Sequence, residues 1–209
     1  MGRFYPATIT PSKGELIAAW LPSQPWAPEA DGDLEVIGAF RYDDPDGQVG
    51  METHLVRWGG VLLQVQLTYR GAPLEGGEDA LVGTLDHSDL GTRWVYDGLR
   101  DPQSTMVLAA VAMTGQGEAL GMGERDGRWF MAPSPVRIHG GGWGLERIFV
   151  DGLVLDRDDA DASVLRNDRI ELTVFRRPVA GEQPGIGLTA TWDGQAEPVV
   201  LAAVRDLQA

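Results

Sequence analysis

The chain has 209 residues, 43% of them hydrophobic and 23% charged, enough to bury a sizeable core without cross-links. Cysteine is absent, which excludes disulfides, thiolate metal sites and cysteine nucleophiles. A net charge of -14, with Arg176-Arg177 the one adjacent basic pair, argues against a nucleic-acid partner.

The first element is predicted as a short helix, because Ser12 and Glu15 have capping-box spacing and Leu16, Ile17, Trp20 and Leu21 share a face. Pro22 stops it, and a loop rich in proline and acidic residues runs to Asp33. Val36, Phe40 and Tyr42 are expected on one face of a strand, and Asp43-Asp44-Pro45-Asp46-Gly47 is a turn. A strand over 51–58 closes at Gly59-Gly60 and opens the clearest strand of the chain. There Val61, Leu63, Val65, Leu67 and Tyr69 alternate with Leu62, Gln64, Gln66, Thr68 and Arg70, so one face is expected buried and the other mostly wet.

Residues 80–85 read as a strand or short helix, and 93–96 as a short strand. Asp101-Pro102 opens a second helix, with Met106, Ala110 and Met113 as its apolar stripe and its end near Gly115. Five glycines between 115 and 127 suggest a linker or long loop. Beyond it, strands are expected over 129–131, 136–139, 147–150, 170–176, 187–192 and 199–204, with hairpin turns at Asn167-Asp168 and Asp193-Gly194. The pattern is α+β with antiparallel pairing, and it lacks a regular βαβ alternation. The division expected is 1–115, a linker or loop at 116–127, and a β-rich part over 128–209 that packs separately or with the first.

Local catalytic motifs are missing. His54, His87 and His139 have no metal-ligand spacing. His139-Gly140-Gly141-Gly142-Trp143 is similar to an esterase oxyanion loop, but no GxSxG elbow accompanies it. The glycines after 115 match no phosphate-loop pattern. Asp156, Asp158, Asp159 and Asp161 lack the glycine and distal glutamate of a calcium loop and read as a solvated acidic loop. Lys13 is the single lysine, so any Schiff-base chemistry would rest on it alone. Seven tryptophans, at 20, 26, 58, 94, 129, 143 and 192, serve as core fillers or as stacking faces for sugars.

Three segments carry a family resemblance. They are Leu67-Thr68-Tyr69-Arg70-Gly71-Ala72-Pro73-Leu74, Ala80-Leu81-Val82-Gly83-Thr84-Leu85-Asp86-His87 and Leu90-Gly91-Thr92-Arg93-Trp94-Val95-Tyr96-Asp97-Gly98. In this order they resemble the N-terminal cap domain of maltokinases, over about residues 8–112. Residues 161–184 resemble the first strands of the maltokinase nucleotide lobe more weakly. In that comparison Thr173, within Ile170-Glu171-Leu172-Thr173-Val174-Phe175-Arg176-Arg177, stands where the family has its nucleotide-contacting lysine. A hydroxyl cannot supply that charge to phosphates, and with Ala209 as the last residue the comparison leads to the expectation that no kinase catalytic lobe follows.

The resemblance implies a cystatin-like cap, a curved antiparallel sheet carrying a few helices. It also implies a non-catalytic accessory or regulatory role in trehalose, maltose or α-glucan metabolism, without a cofactor. The partner implied is a protein, such as a maltokinase or α-glucan enzyme, or a second copy. An α-glucan-binding module is the first alternative, and a small enzyme with acid and base groups gathered from remote positions is the second. The residues singled out for ligand or partner contact are Tyr69, Arg70, His87, Arg93, Trp94 and Asp97. Neither membrane nor nucleic acid is expected as a partner. No apolar run approaches the roughly 20 residues of a membrane span, and the start Met1-Gly2-Arg3-Phe4-Tyr5-Pro6 has no apolar signal segment, so the cytoplasm is the expected compartment.

Overall fold

The computed structural model describes the backbone of residues 2–4 and all of 7–30, 32–142, 147–181 and 185–208. In chain order these form β1 Gly2–Phe4, β2 Ile9–Thr10, α1 Lys13–Trp20, β3 Glu35–Tyr42, β4 Gly50–Trp58, β5 Val61–Arg70, β6 Leu81–His87 and β7 Gly91–Asp97. Then come α2 Pro102–Thr114, β8 Gly121–Arg125, β9 Arg128–Ala132, β10 Val136–Gly140, β11 Val154–Asp158, β12 Ala162–Arg166, β13 Ile170–Ala180, β14 Gly187–Trp192 and β15 Gln195–Asp206. The fold is α+β and almost wholly antiparallel. One six-stranded sheet runs β2-β6-β7-β5-β4-β3, a second runs β10-β14-β15-β13-β12-β11, and β1-β8-β9 form a small third sheet. The parallel β1–β8 pair is the exception to the antiparallel rule.

Local signals place the helices. Ser12 caps α1 and Glu15 answers it reciprocally, and Asp101 caps α2 ahead of Pro102. Gly115 ends α2 in the left-handed conformation at φ 68°, which glycine adopts at little cost. Gly59 and Gly60 both have positive φ at the β4–β5 turn, as a two-residue hairpin with the favoured twist requires.

The two faces of the first sheet lead to two cores. Leu16, Ile17 and Leu21 around α1, with Trp26, pack on Val56, Trp58, Leu63, Val65, Leu67, Leu85 and Val95. The opposite face, with Phe40, Tyr42, Met51 and Leu55, joins α2 and the second sheet through Leu165, Leu172, Leu188 and Leu201. The face of β5 expected to be wet is therefore buried: Gln64, Gln66 and Thr68 are at most 3% exposed. Gln64 Nε2 donates to the carbonyls of Phe175 and Leu201, stitching the first sheet to β13 and β15. The Gln66 amide and Thr68 hydroxyl make no such bond among the described residues. Polar residues on alternate positions signal water only when no second layer covers them.

Other expectations shift for identifiable reasons. A bulge between Val36 and Gly38 turns Val36 outward, half-exposed, while Phe40 and Tyr42 stay inward. There Gly38 lets Val136 come close, since an added Cβ would lie 2.8 Å from its Cγ2. Helix α2 is buried on more than the expected stripe: Val107, Leu108, Ala109, Val111 and Ala112 are covered from several sides, while Met106 and Ala110 are half-buried. Residues 147–150 form no strand; β11 and β12 pair instead, and β11 takes in part of the acidic segment. Residues 81–87 are strand β6, entered through a short 3-10 turn. Residues 121–125, inside the glycine-rich stretch, pair as β8 with both β1 and β9.

Candidate functional site

The six residues singled out in the cap-like segments do not converge on one point. Tyr69 faces the α1 side of the sheet. Its hydroxyl lies 3.2 Å from Glu52 Oε2, to which it donates, and 3.2 Å from His54 Nε2. Arg70, at the end of β5, grips Asp101 with two bonds of 2.7 and 2.6 Å. His87 ends β6, and its Nδ1 accepts from the backbone of Asp89 and Leu90. Arg93 donates to the Leu90 carbonyl, and Trp94 is half-buried on β7. Arg93 and Asp97 do not pair with each other. Asp97 is 2% exposed and binds Arg176 Nη2 at 3.0 Å instead, because the second sheet brings a guanidinium to it.

Two polar clusters result. In the first, the N-terminal turn of α1 brings Lys13 against Glu52, and Lys13 Nζ also lies 5.2 Å from the Tyr69 ring centre. His54 Nε2 is 3.1 Å from the same carboxylate oxygen. Burial would raise the Glu52 carboxyl, but the hydrogen bond and charge of His54, with those of Lys13, outweigh it and hold Glu52 well below the ordinary carboxylate range. Burial, with the Glu52 charge, pushes the Tyr69 phenol well above its ordinary value. The single lysine is thus committed to a carboxylate and clamps α1 to the sheet. A protonated, ion-paired amine is a poor nucleophile.

The second cluster centres on Arg176, fully buried on β13. Its Nε donates to Ser163 Oγ at 2.7 Å and lies 3.5 Å from Asp158, Nη2 reaches Asp97, and the guanidinium lies 4.3 Å from the Trp26 ring centre. It joins the first sheet, the second sheet and the loop after α1. Asp158, expected in a solvated loop, is thereby a structural anchor, and it takes Ser163 Oγ as a donor too. Among the described residues, no group of three histidine, aspartate or glutamate side chains is arranged to hold a metal ion. Sequence reasoning missed this centre. Its one visible trace was the doublet Arg176-Arg177 inside a hydrophobic strand pattern.

Other marked residues are spread over the molecule. Thr173 is half-buried on β13, between Val164 and Ala203. Trp26 and Trp58 are buried, Trp20, Trp94 and Trp192 half-buried, and Trp129 is 49% exposed on β9; Trp143 lies outside the described residues. His139 and Gly140 belong to β10, where an added Cβ on Gly140 would sit 2.2 Å from the Val111 carbonyl oxygen of α2.

Two of the surface concavities among the described residues lie away from these clusters. One, of about 460 Å³, is lined by Arg147, Phe149, Asp151, Asn167, Asp168 and Arg169 among others. The larger, of about 670 Å³, lies between α2 and the segment 116–120 and is mainly apolar. Neither contains the six residues above or the two polar clusters.

Residues 20–101 match the family model of the maltokinase N-terminal cap domain. The match takes in all three resembling segments, and it contains Glu52, His54, Tyr69, Arg70, Asp97 and Asp101. It stops short of α2 and of the whole second sheet. Among curated proteins no match is found. No helix of the described residues is long and apolar enough to cross a membrane.

Proposed function

We propose that this chain is a non-catalytic accessory module that acts by binding a protein of trehalose, maltose or α-glucan metabolism, in the cytoplasm. The observation carrying the reading is the maltokinase N-terminal cap match over residues 20–101. The use of the polar side chains within that stretch supports it. Arg70 serves Asp101, Asp97 serves Arg176, and Glu52 serves Lys13, His54 and Tyr69, so each is satisfied inside the fold. Groups consumed in this way hold elements together and are poorly placed to turn over a substrate. A surface for a partner then has to come from elsewhere.

Two measurements test this. Purified chain is passed over an immobilised maltokinase and over an unrelated kinase, and selective retention by the maltokinase is the expected result. In parallel, melting is followed with ATP·Mg, maltose, trehalose, maltose 1-phosphate and glycogen oligosaccharides. A ligand present at about a hundred times its dissociation constant stabilises a fold by roughly 2.7 kcal/mol. No shift is expected. A shift with a sugar would replace the proposal with a glucan-binding module, and a shift with ATP·Mg would replace it with a nucleotide-binding one.

A further inference from the structure

We infer that the outer edge of β9 is a dimerisation surface, which receives β9 of a second copy of this chain in an antiparallel pair, two-fold symmetric about Phe130. The inference goes beyond the proposed partner enzyme and does not depend on it. It starts from a contrast among the sheet edges. On β3 the carbonyls of Ala39 and Arg41 accept from Ser134 Oγ and Ala119 N, and on β10 the amides of Ile138 and Gly140 donate to Glu118 Oε2 and the Gln116 carbonyl. β2 has two residues, and β11 is broken by a bulge and carries the exposed charges of Asp156 and Arg157. These are edges guarded against further pairing. β9 is the outer strand of its sheet, and between Arg128 and Pro133 it has no charge, proline or bulge. Trp129 is held by a contact within the chain and is still 49% exposed, with Phe130 at 43% and Met131 at 64%. Consecutive large apolar side chains along an unguarded edge suit the addition of a strand.

The register of the hairpin says that the added strand is a second β9. Asp126 and Gly127, with φ of 53° and 74°, form a two-residue turn, so Arg125 and Arg128 are the first hydrogen-bonded pair. Bonded and non-bonded pairs then alternate, which turns the main-chain groups of residues 129 and 131 away from β8 and toward the edge. Two copies laid antiparallel about Phe130 set residue 129 of each against residue 131 of the other, so these outward groups meet as reciprocal hydrogen bonds. The same register puts each Trp129 beside Met131 of the other copy on one face, a thioether against an aromatic ring. On the other face the two Phe130 residues fall opposite each other. Arg128 falls opposite Ala132, so like charges do not meet across the pair.

Charge agrees with a second copy. Residues 121–132 contain Glu124 and Asp126 against Arg125 and Arg128 and so sum to zero, in a chain of charge -14. Two copies therefore repel least where this neutral segment meets itself. The strand is also in place before it pairs. A Cβ added to Gly123 would lie 2.3 Å from Phe130 Cζ, so the Phe130 ring lies across β8 at that glycine and holds β9 to it. Five residues of strand make a small contact. It falls below the roughly 1,200 Å² that stable complexes bury, so the dimer expected is weak and reversible.

The test uses the full chain, whose lack of cysteine lets a single thiol report on register. Sedimentation equilibrium from about 1 μM to about 1 mM is expected to show a reversible monomer–dimer equilibrium, without larger species because the pairing uses up the β9 edge of both copies. Met131→Arg is expected to weaken the dimer about tenfold or more. Phe130→Cys sets two thiols opposite each other at a non-hydrogen-bonded pair, where Cα atoms lie about 4.5 Å apart and a disulfide can close. Under mild oxidation it is expected to cross-link about tenfold faster than Arg128→Cys, which faces Ala132 of the other copy. If Phe130→Cys lowers the melting temperature, a mixture of Trp129→Cys and Met131→Cys proteins carries the test, and the two are expected to cross-link to each other faster than either does to itself. A monomer at every concentration, a dimer of unchanged strength in a well-folded Met131→Arg protein, or equal cross-linking at positions 128 and 130 would each overturn the inference. Growth beyond the dimer would overturn the two-fold pairing. A chain that stays monomeric, yet loses retention on the maltokinase column through Met131→Arg, would overturn the second copy and give the edge to that enzyme.

Discussion

Arg176 is the side chain on which most depends. Its charge is fully buried and matched to Asp97, with Ser163 and Asp158 on its other edge. Removing one member of a buried pair leaves an uncompensated charge, so Arg176→Met is expected to cost about 3–5 kcal/mol, read from urea denaturation. The double variant with Asp97→Asn should recover part of that loss, which identifies the pair as the origin. Glu52 gives a pH signature. Its carboxyl is held below its unfolded-state value, so its contribution is complete above the ordinary carboxylate range. That contribution is lost as pH falls from about 4.5 toward the lower folded value. Denaturation curves at a series of acid pH values are expected to show this decline, and Glu52→Gln is expected to be less stable at neutral pH with a shallower acid limb.

At the level of elements, α2 deserves its own test, because β10 passes it so closely. A Cβ at Gly140 would stand 2.2 Å from the Val111 carbonyl oxygen, and that oxygen belongs to backbone that cannot swing away. Gly140→Ala is therefore expected to cost about 1–3 kcal/mol, seen as a fall in melting temperature, although alanine ordinarily strengthens a strand. The run His139-Gly140-Gly141-Gly142 is similar to a catalytic loop in composition, yet at Gly140 a packing requirement explains the glycine. The helix ends were legible from Ser12, Glu15, Asp101, Pro102 and Gly115, because capping is decided within a few residues of chain. The β4–β5 hairpin was legible for the same reason.

Taken whole, the molecule has its larger core between the first sheet, α2 and the second sheet. The bonds of Gln64 to β13 and β15 and of Arg176 to Asp97 cross between these layers. Unfolding is accordingly expected to be a single cooperative transition, with tryptophan fluorescence and far-UV circular dichroism superimposing in urea. A fragment of residues 1–120 would expose Phe40, Met51, Leu55 and the apolar side of α2. It is expected to bind a hydrophobic dye and to lack a sharp melt. Two separate transitions, or a sharply melting fragment, would count against a shared core.

Alternation along β5, the turn glycines and the capping residues each act between near neighbours, and they were readable in the sequence together with the α+β class and the cap-like motifs. That neither face of β5 meets water along its middle was not readable, because Gln64, Gln66 and Thr68 look solvated until a second sheet, more than a hundred residues away in the case of Gln64, is laid on them. The partners of Asp97, Arg70 and Lys13 were hidden for the same reason, since an ion pair is chosen by folded distance and not by spacing along the chain. The groove on α2 is more distant still from local pattern: its walls come from β3, α2, residues 116–120 and Val150. A shape assembled from four separated stretches has no sequence period, so it exists for a reader only once the chain is folded.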